Sequence, residues 1–240
     1  MFRFKQFSIE DDGATMKVGT DAVMLGALVS PIKEPQKILD IGTGCGVIAL
    51  MMAQRFGKAQ IDSIDIDSQT IEVAKSNFVN SPWSERLQAE NISLQHFAQR
   101  INDEQRGVYD IIVCNPPYFS NSLKNNEARR AIARHDDTLS LVQLFDNATT
   151  LLSAEGQLVI IIPSDIAQRA IDDASKNRLH LTKRIDIVNH IGDKPKRTVL
   201  QFAEATVMSH YESQYVTIAM RNADNNYSAT YIELTQPFLL

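Results

Sequence analysis

The stretch Lys37-Ile38-Leu39-Asp40-Ile41-Gly42-Thr43-Gly44-Cys45-Gly46, followed at once by Val47-Ile48-Ala49-Leu50-Met51-Met52-Ala53, decides the fold. A short apolar run breaks at a cluster of glycines, and the segment beyond it repeats apolar residues at helical spacing. This is how a strand, a tight turn and a helix read in sequence. Glycines at such a turn let the backbone pass close to a ligand, and the N–H groups at the start of the helix face it.

The glycine spacing selects the ligand. A dinucleotide fingerprint places its third glycine three residues after the second. Here Val47 holds that position and Gly46 comes one residue early. The turn at Gly42, Gly44 and Gly46 therefore favours S-adenosylmethionine over NAD, with its wide backbone taking the methionine portion and Asp40 near the amino group. Asp65, at the end of the next strand, suits a carboxylate that accepts from both ribose hydroxyls. Asp67 competes for that role but reads as entering the following turn.

From Gln36 to Pro163 short β-rich runs alternate with amphipathic segments, the pattern of a doubly wound, mostly parallel sheet. The expected strands are Lys37 to Ile41, Gln60 to Ile66, Ile92 to His96, Tyr109 to Cys114 and Gln157 to Ile162. Helices are expected at Val47 to Phe56, at Ser68 to Val79 with Ser68 as N-cap, and at Leu139 to Leu152. After Pro163 a helix from about Ser164 to Asn177 precedes Leu181 to Val188, Thr198 to Phe202 and Tyr215 to Met220. These three read as closing antiparallel strands rather than a second domain, so one domain over 1–240 is expected, with 1–35 as a segment over the cofactor. Within that segment Lys17 and Thr20 are the candidate contacts.

Directly after the fourth expected strand comes Asn115-Pro116-Pro117-Tyr118. An exocyclic amine conjugated to a ring or carbonyl is a poor nucleophile. An Asn carbonyl and a backbone carbonyl that cannot turn away draw its two hydrogens out of conjugation, and proline supplies that rigidity. Asn115 Oδ1 and the Pro116 carbonyl are thus the expected acceptors, Pro117 the rigid neighbour, and Tyr118 the ring that stacks on the substrate plane. Asn115 also borders the cofactor. The pattern points to methyl transfer onto a planar amino nitrogen. The irregular stretch from Phe119 to Asp137 is long enough to be a functional loop.

At 240 residues and 44% hydrophobic the chain can bury a full core. It has no apolar run of membrane-spanning length, and Met1 to Gln6 lacks the apolar stretch of a signal peptide, so a cytosolic location is expected. Cys45 and Cys114 are too few for a disulfide framework, and His96, His180, His190 and His210 share no metal-ligand spacing, so no metal is expected. A net charge of −5 leaves nucleic-acid binding to local patches. Two stand out: Arg129, Arg130 and Arg134 beside His135, and Lys194, Lys196 and Arg197 around Pro195.

Beyond the general class, Lys17-Val18-Gly19-Thr20-Asp21-Ala22-Val23-Met24-Leu25-Gly26, Asn115-Pro116-Pro117-Tyr118-Phe119, and Asn226-Tyr227-Ser228 with Leu234-Thr235 resemble the bacterial valine-tRNA adenine-N6 methyltransferases over nearly the whole chain. The resemblance implies a Rossmann-like class I methyltransferase fold, a seven-stranded mostly parallel sheet with helices on both faces. It implies S-adenosylmethionine as cofactor and a tRNA partner methylated at the adenine 3′ of the anticodon, with no membrane and no obligatory protein partner. Related enzymes often carry an acidic residue past the third strand to meet the cofactor adenine. This chain reads His96-Phe97-Ala98-Gln99 there, which leaves that contact to backbone groups and Phe97. Guanine-N2 methylation of ribosomal RNA shares the chemistry. Glutamine methylation of a release factor shares the tetrapeptide, but the segment before Asp40 is too short for those enzymes' helical domain. A non-catalytic RNA-binding or cofactor-sensing protein would not need the amine-orienting residues.

Overall fold

Runs such as Ile111-Ile112-Val113 and Leu158-Val159-Ile160-Ile161-Ile162 are apolar without alternation, so their strands must be covered on both faces. In the computed structural model, which describes residues 1–14, 17–104, 107–117, 139–204 and 212–239, they are the buried centre of a large sheet. Two short antiparallel strands, β1 (Phe2–Arg3) and β2 (Ser8–Ile9), precede helix α1 (Thr20–Leu28). The alternation then runs β3 (Lys37–Ile41), α2 (Val47–Arg55), β4 (Gln60–Asp65), α3 (Ser68–Val79), β5 (Leu87–Asn91), α4 (Leu94–Glu104) and β6 (Tyr109–Cys114). It continues with α5 (Leu141–Leu151), β7 (Leu152–Pro163), α6 (Ala167–Lys176), β8 (Leu179–Val188), β9 (Arg197–Glu204), β10 (Gln214–Ala219) and α7 (Ala229–Thr235).

The sheet order is β10-β8-β9-β7-β6-β3-β4-β5, and only the two pairings made by β9 are antiparallel. Alternate residues of each strand feed two cores. Ile38, Ile111, Val113, Val159, Ile161 and Val199 face one side with α1, α2 and the N-terminal segment. Leu39, Ile112, Leu158, Ile160 and Leu200 face the other with α4, α5 and α6. The chain winds from β3 outward to β5, then crosses back to β6 on the other flank of β3. That reversal opens a crevice at the carboxyl ends of β3 and β6, where doubly wound sheets bind ligands.

Four expectations need correction. The sheet has eight strands rather than the seven the resemblance implies, and β10, at the run expected as a strand from Tyr215, pairs in parallel with β8 from Gln214↔Lys183 to Ala219↔Val188. For the same reason only β9 is antiparallel among the three closing strands. Ile92 to His96 is not a strand: β5 lies earlier, and Leu94, Phe97, Ala98 and Ile101 form the inward stripe of α4. As an edge strand β5 pairs with β4 alone, so Gln88 and Glu90 lack the apolar signature of a central strand. Finally, the N-cap of α3 is Asp67, whose Oδ1 accepts from Gln69 N at 2.9 Å and Thr70 N at 3.1 Å, one residue ahead of Ser68.

The N-terminal segment packs on the rim of the crevice. Phe7 is buried, stacked on Phe4 at 4.4 Å and edge-on to Trp83 at 5.7 Å. Asn77 on α3 holds it in place: Oδ1 accepts from Glu10 N at 2.9 Å, and Nδ2 donates to both Glu10 O and Cys45 O at 2.8 Å.

Candidate active site

Strand register brings the expected site residues together. Ile41 pairs with Ile64 on one side and with Cys114 on the other, so Gly42, Asp65 and Asn115 leave the sheet side by side from three adjacent parallel strands. Gly42 N and Thr43 N donate to Ile64 O at 2.9 and 3.1 Å, which bends the turn over the end of β4. Gly42, Gly44 and Gly46 have φ of +67, +56 and +86°, the left-handed region that side chains resist. A Cβ on Gly42 or Gly44 would meet nothing within 4 Å, so both project into open space on the ligand side of the turn. At Gly46 the same atom would fall 2.4 Å from Phe78. Two of these glycines therefore shape a cradle, and the third seats the turn against α3.

Asp40 is fully buried beneath that cradle, not at its surface. Its Oδ2 accepts from Thr43 Oγ1 at 2.7 Å and from Ala49 N at 3.2 Å, tying the turn to the first residues of α2. Its Oδ1 is buried without a hydrogen-bond partner. Burial pushes the carboxyl up to about 7, against the lowering effect of Thr43 and Ala49, and the nearby Asp65 charge pushes the same way. The native state thus binds this proton more tightly than the unfolded chain, whose carboxyl has an ordinary value of 3.8. The contribution to stability is full below about pH 4 and is lost as pH rises towards 7. Thermal melts of Asp40→Asn are accordingly expected to show a shallower decline across that window than the parent. Parallel curves would remove Asp40 as the titrating group.

Asp65 is half-buried and faces the turn. Oδ2 accepts from Gly44 N at 3.0 Å and Oδ1 from Asp67 N at 3.0 Å. A carboxylate offers about four acceptor positions, so two remain for a diol. Asp67 is committed to its helix cap. Asn115 is half-buried, Pro116 is buried and Pro117 is exposed. Tyr118 lies outside the described residues, as do Arg129, Arg130 and Arg134. Lys17 and Thr20 are exposed, and Lys17 Nζ stands 3.8 Å from Asp12 Oδ1.

Two other expectations change. Phe97 is 3% exposed on the inner face of α4, 6.3 Å from the Tyr109 ring, so it packs into the core of that face. It forms a wall of a 570 Å³ cavity between α4 and the face of β4 and β5. The charged groups there are already matched, Lys37 with Asp62 at 3.4 Å and Arg100 with Glu90 at 2.7 Å. Arg197 is not a free phosphate ligand: its Nε donates to Asp21 Oδ2 at 2.6 Å, joining β9 to the start of α1. Lys194 and Lys196 are exposed in the loop just before Arg197.

Thr43 and Asn77 are parts of the site that the sequence reading passes over. Thr43, 3% exposed, donates from the turn to Asp40 Oδ2, and Asn77, 4% exposed, donates to Cys45 O in the turn. Asn within a helix is unfavourable unless its amide is used, which is the one signal that marked Asn77 beforehand.

A family model described as the methyltransferase small domain matches residues 16–200. A tRNA1(Val) (adenine(37)-N6)-methyltransferase of Flavobacterium psychrophilum is 38% identical over 240 residues, covering 100% of this chain and 99% of that one. The protein of the same name from Phocaeicola vulgatus is 39% identical over 239 residues, covering 100% and 97%. The chain belongs to this methyltransferase family. Among solved structures, a predicted O-methyltransferase, Atu636 of Agrobacterium tumefaciens, aligns with a TM-score of 0.71 at 17% identity, covering 91% of this chain and 96% of that one. That likeness gives the family's fold, the Rossmann-like arrangement derived above from strand order. The turn at Gly42 to Gly46 and the Asn115-Pro116-Pro117 segment follow the ends of the paired strands β3 and β6.

Proposed function

We propose that this protein transfers a methyl group from S-adenosylmethionine to N6 of an adenine in tRNA, adenine-37 of a valine tRNA, as its relatives are named for doing. The observation that carries this reading is the placement of Gly42, Asp65 and Asn115 on the ends of three adjacent strands in register. A cofactor-shaped cradle and an amine-orienting amide then share one crevice.

The cradle suits the cofactor: two glycines leave open space where a Cβ would stand, and Asp65 retains acceptor capacity for a ribose diol. S-adenosylmethionine supplies an electrophilic methyl group. Asn115 Oδ1 and the Pro116 carbonyl accept the two amine hydrogens, which turns the nitrogen lone pair out of conjugation and towards that methyl. Asp40 acts from below as a positioning residue, holding Thr43 and Ala49 so that the turn keeps its shape. With Phe97 occupied in the core, the loop after β5 at Asn91 to Ser93 is the proposed adenine contact. Asn91 Nδ2 donates to Asp65 O at 3.0 Å and so fixes that loop beside the ribose carboxylate.

Residues 1–240 are proposed to work as one unit, supported by the bonds of Asn77 that tie the N-terminal segment to the turn. Among the described residues no helix is long and apolar enough to cross a membrane. A cytosolic protein acting on free tRNA is the corresponding proposal. Asp65→Ala is expected to weaken S-adenosylmethionine binding by roughly 1 to 3 kcal/mol, the cost of stranding buried hydroxyl groups without an acceptor. Isothermal titration calorimetry measures it. An unchanged affinity in a folded variant would take Asp65 out of the site.

A further inference from the structure

Two loops on the site's edge of the sheet carry apolar surface and cations that the chemistry above does not use. Residues 189–196 connect β8 to β9, and residues 220–228 connect β10 to α7. They are joined by Met220 N donating to Val188 O and Arg221 N donating to Asn189 O, both at 2.9 Å. In this small region Ile191 is 77% exposed and Tyr227 53% exposed. Lys194 and Lys196 are exposed beside them. The two acids of these loops, Asp193 and Asp224, are outnumbered by three cations, Lys194, Lys196 and Arg221, in a chain whose net charge is −5.

Tyr227 is held rather than loose. It stacks on Tyr231 at 4.8 Å with a 20° tilt, and the Arg221 guanidinium lies 5.0 Å from its ring centre. Arg221 Nη1 donates to Asn225 O, Asn222 Oδ1 accepts from Asp224 N and Asn226 N, and Asn225 adopts a left-handed φ of +63°. Arg221 and Tyr227 pair across the turn, and Ser228 caps α7 by accepting from Tyr231 N. So much ordering of an exposed aromatic has no use in the core. It does fit a surface that must meet a flat partner without losing conformational freedom on contact.

Position identifies that partner. β6, which ends at Asn115, and β10, which ends before Arg221, are four strand spacings apart, roughly 19 Å at about 4.8 Å each. The loop with Lys194 and Lys196 lies between them. We propose that the Tyr227–Arg221 column is a second RNA contact, on which an unpaired base of the bound stem-loop stacks while the adenine to be methylated occupies the crevice. Lys194 and Lys196 take the phosphates between the two bases. The proposal rests on the tRNA reading above and adds the residues that fix how the loop lies.

The test separates the two. Binding of a fluorescent valine-tRNA anticodon stem-loop is measured by anisotropy with S-adenosylhomocysteine present, so that no methylation is needed. Tyr227→Ala is expected to weaken binding about tenfold while Tyr227→Phe retains it, since the ring and not the hydroxyl is used. Lys194→Gln with Lys196→Gln is expected to flatten the log-log salt dependence by about 1 to 2. In stem-loops carrying 2-aminopurine at successive loop positions, one position other than the target should be quenched by the parent and not by Tyr227→Ala. Calorimetry with the cofactor should give equal affinities for all variants. If the parent binds and methylates tRNA while Tyr227→Ala binds within twofold and quenches the same position, this second contact is wrong and the activity stands. If the parent neither binds nor methylates any tRNA, both fall.

Discussion

Asn115→Ala is expected to keep S-adenosylmethionine affinity and thermal stability close to the parent and to lower the single-turnover methylation rate by roughly two to three orders of magnitude, the scale of deleting one preorganised polar group at a reacting centre. Asn115 follows the last residue of β6, Cys114, whose Cα partner on β3 is Ile41. Both strands are buried and hydrogen-bonded on both sides, so removing an amide from a half-buried position past their ends should not disturb them. What disappears is an acceptor for one hydrogen of a conjugated amine, and the lone pair then stays in the ring system. Asn115→Asp retains an acceptor and should fall between the two. A near-normal single-turnover rate for Asn115→Ala would refute the amine-orienting role.

The second large effect is on stability. Gly46→Ala places a Cβ 2.4 Å from Phe78 Cε1, and does so at a φ of +86°. Left-handed strain costs about 1 to 2 kcal/mol and overpacking about 1 to 3 more, so the variant should lose roughly 2 to 5 kcal/mol. For a chain of this size that lowers Tm by roughly 5 to 15 °C. Gly42→Ala gives the contrast. It carries the strain at φ +67° but meets nothing within 4 Å, so stability should fall by only about 1 to 2 kcal/mol. Its methyl group points into the cradle, and cofactor affinity should suffer more than stability does. Differential scanning calorimetry and titration with S-adenosylhomocysteine separate the two variants. Equal losses of Tm would show that Phe78 gives way at little cost.

The sequence made the centre of the fold legible and its margins less so, for physical reasons. β3, β6 and β7 are buried on both faces, and their apolar runs announced them. β5 is paired on one side only, so its polar Gln88 and Glu90 hid it, and the β-branched Ile92 drew the expected strand five residues late. The crevice was readable because glycine spacing, a carboxylate at the end of β4 and an amide after β6 each have chemical meaning on their own. What pattern could not show was side-chain direction. Asp40 looks like a ligand contact in sequence, yet the structure turns its carboxylate under the turn, towards Thr43 and Ala49. Phe97 and Arg197 likewise looked available, and are occupied by the Tyr109 side of the core and by Asp21.

The central claim is that one crevice presents adenine N6 of a tRNA to S-adenosylmethionine. The most direct measurement incubates the protein and labelled cofactor with unmodified valine tRNA, with a variant carrying guanine in place of adenine-37, and with a peptide-chain release factor, then identifies the product by nucleoside mass spectrometry. N6-methyladenosine in the first substrate alone is the predicted result. Label confined to the release factor, or equal label in the guanine variant, would contradict it.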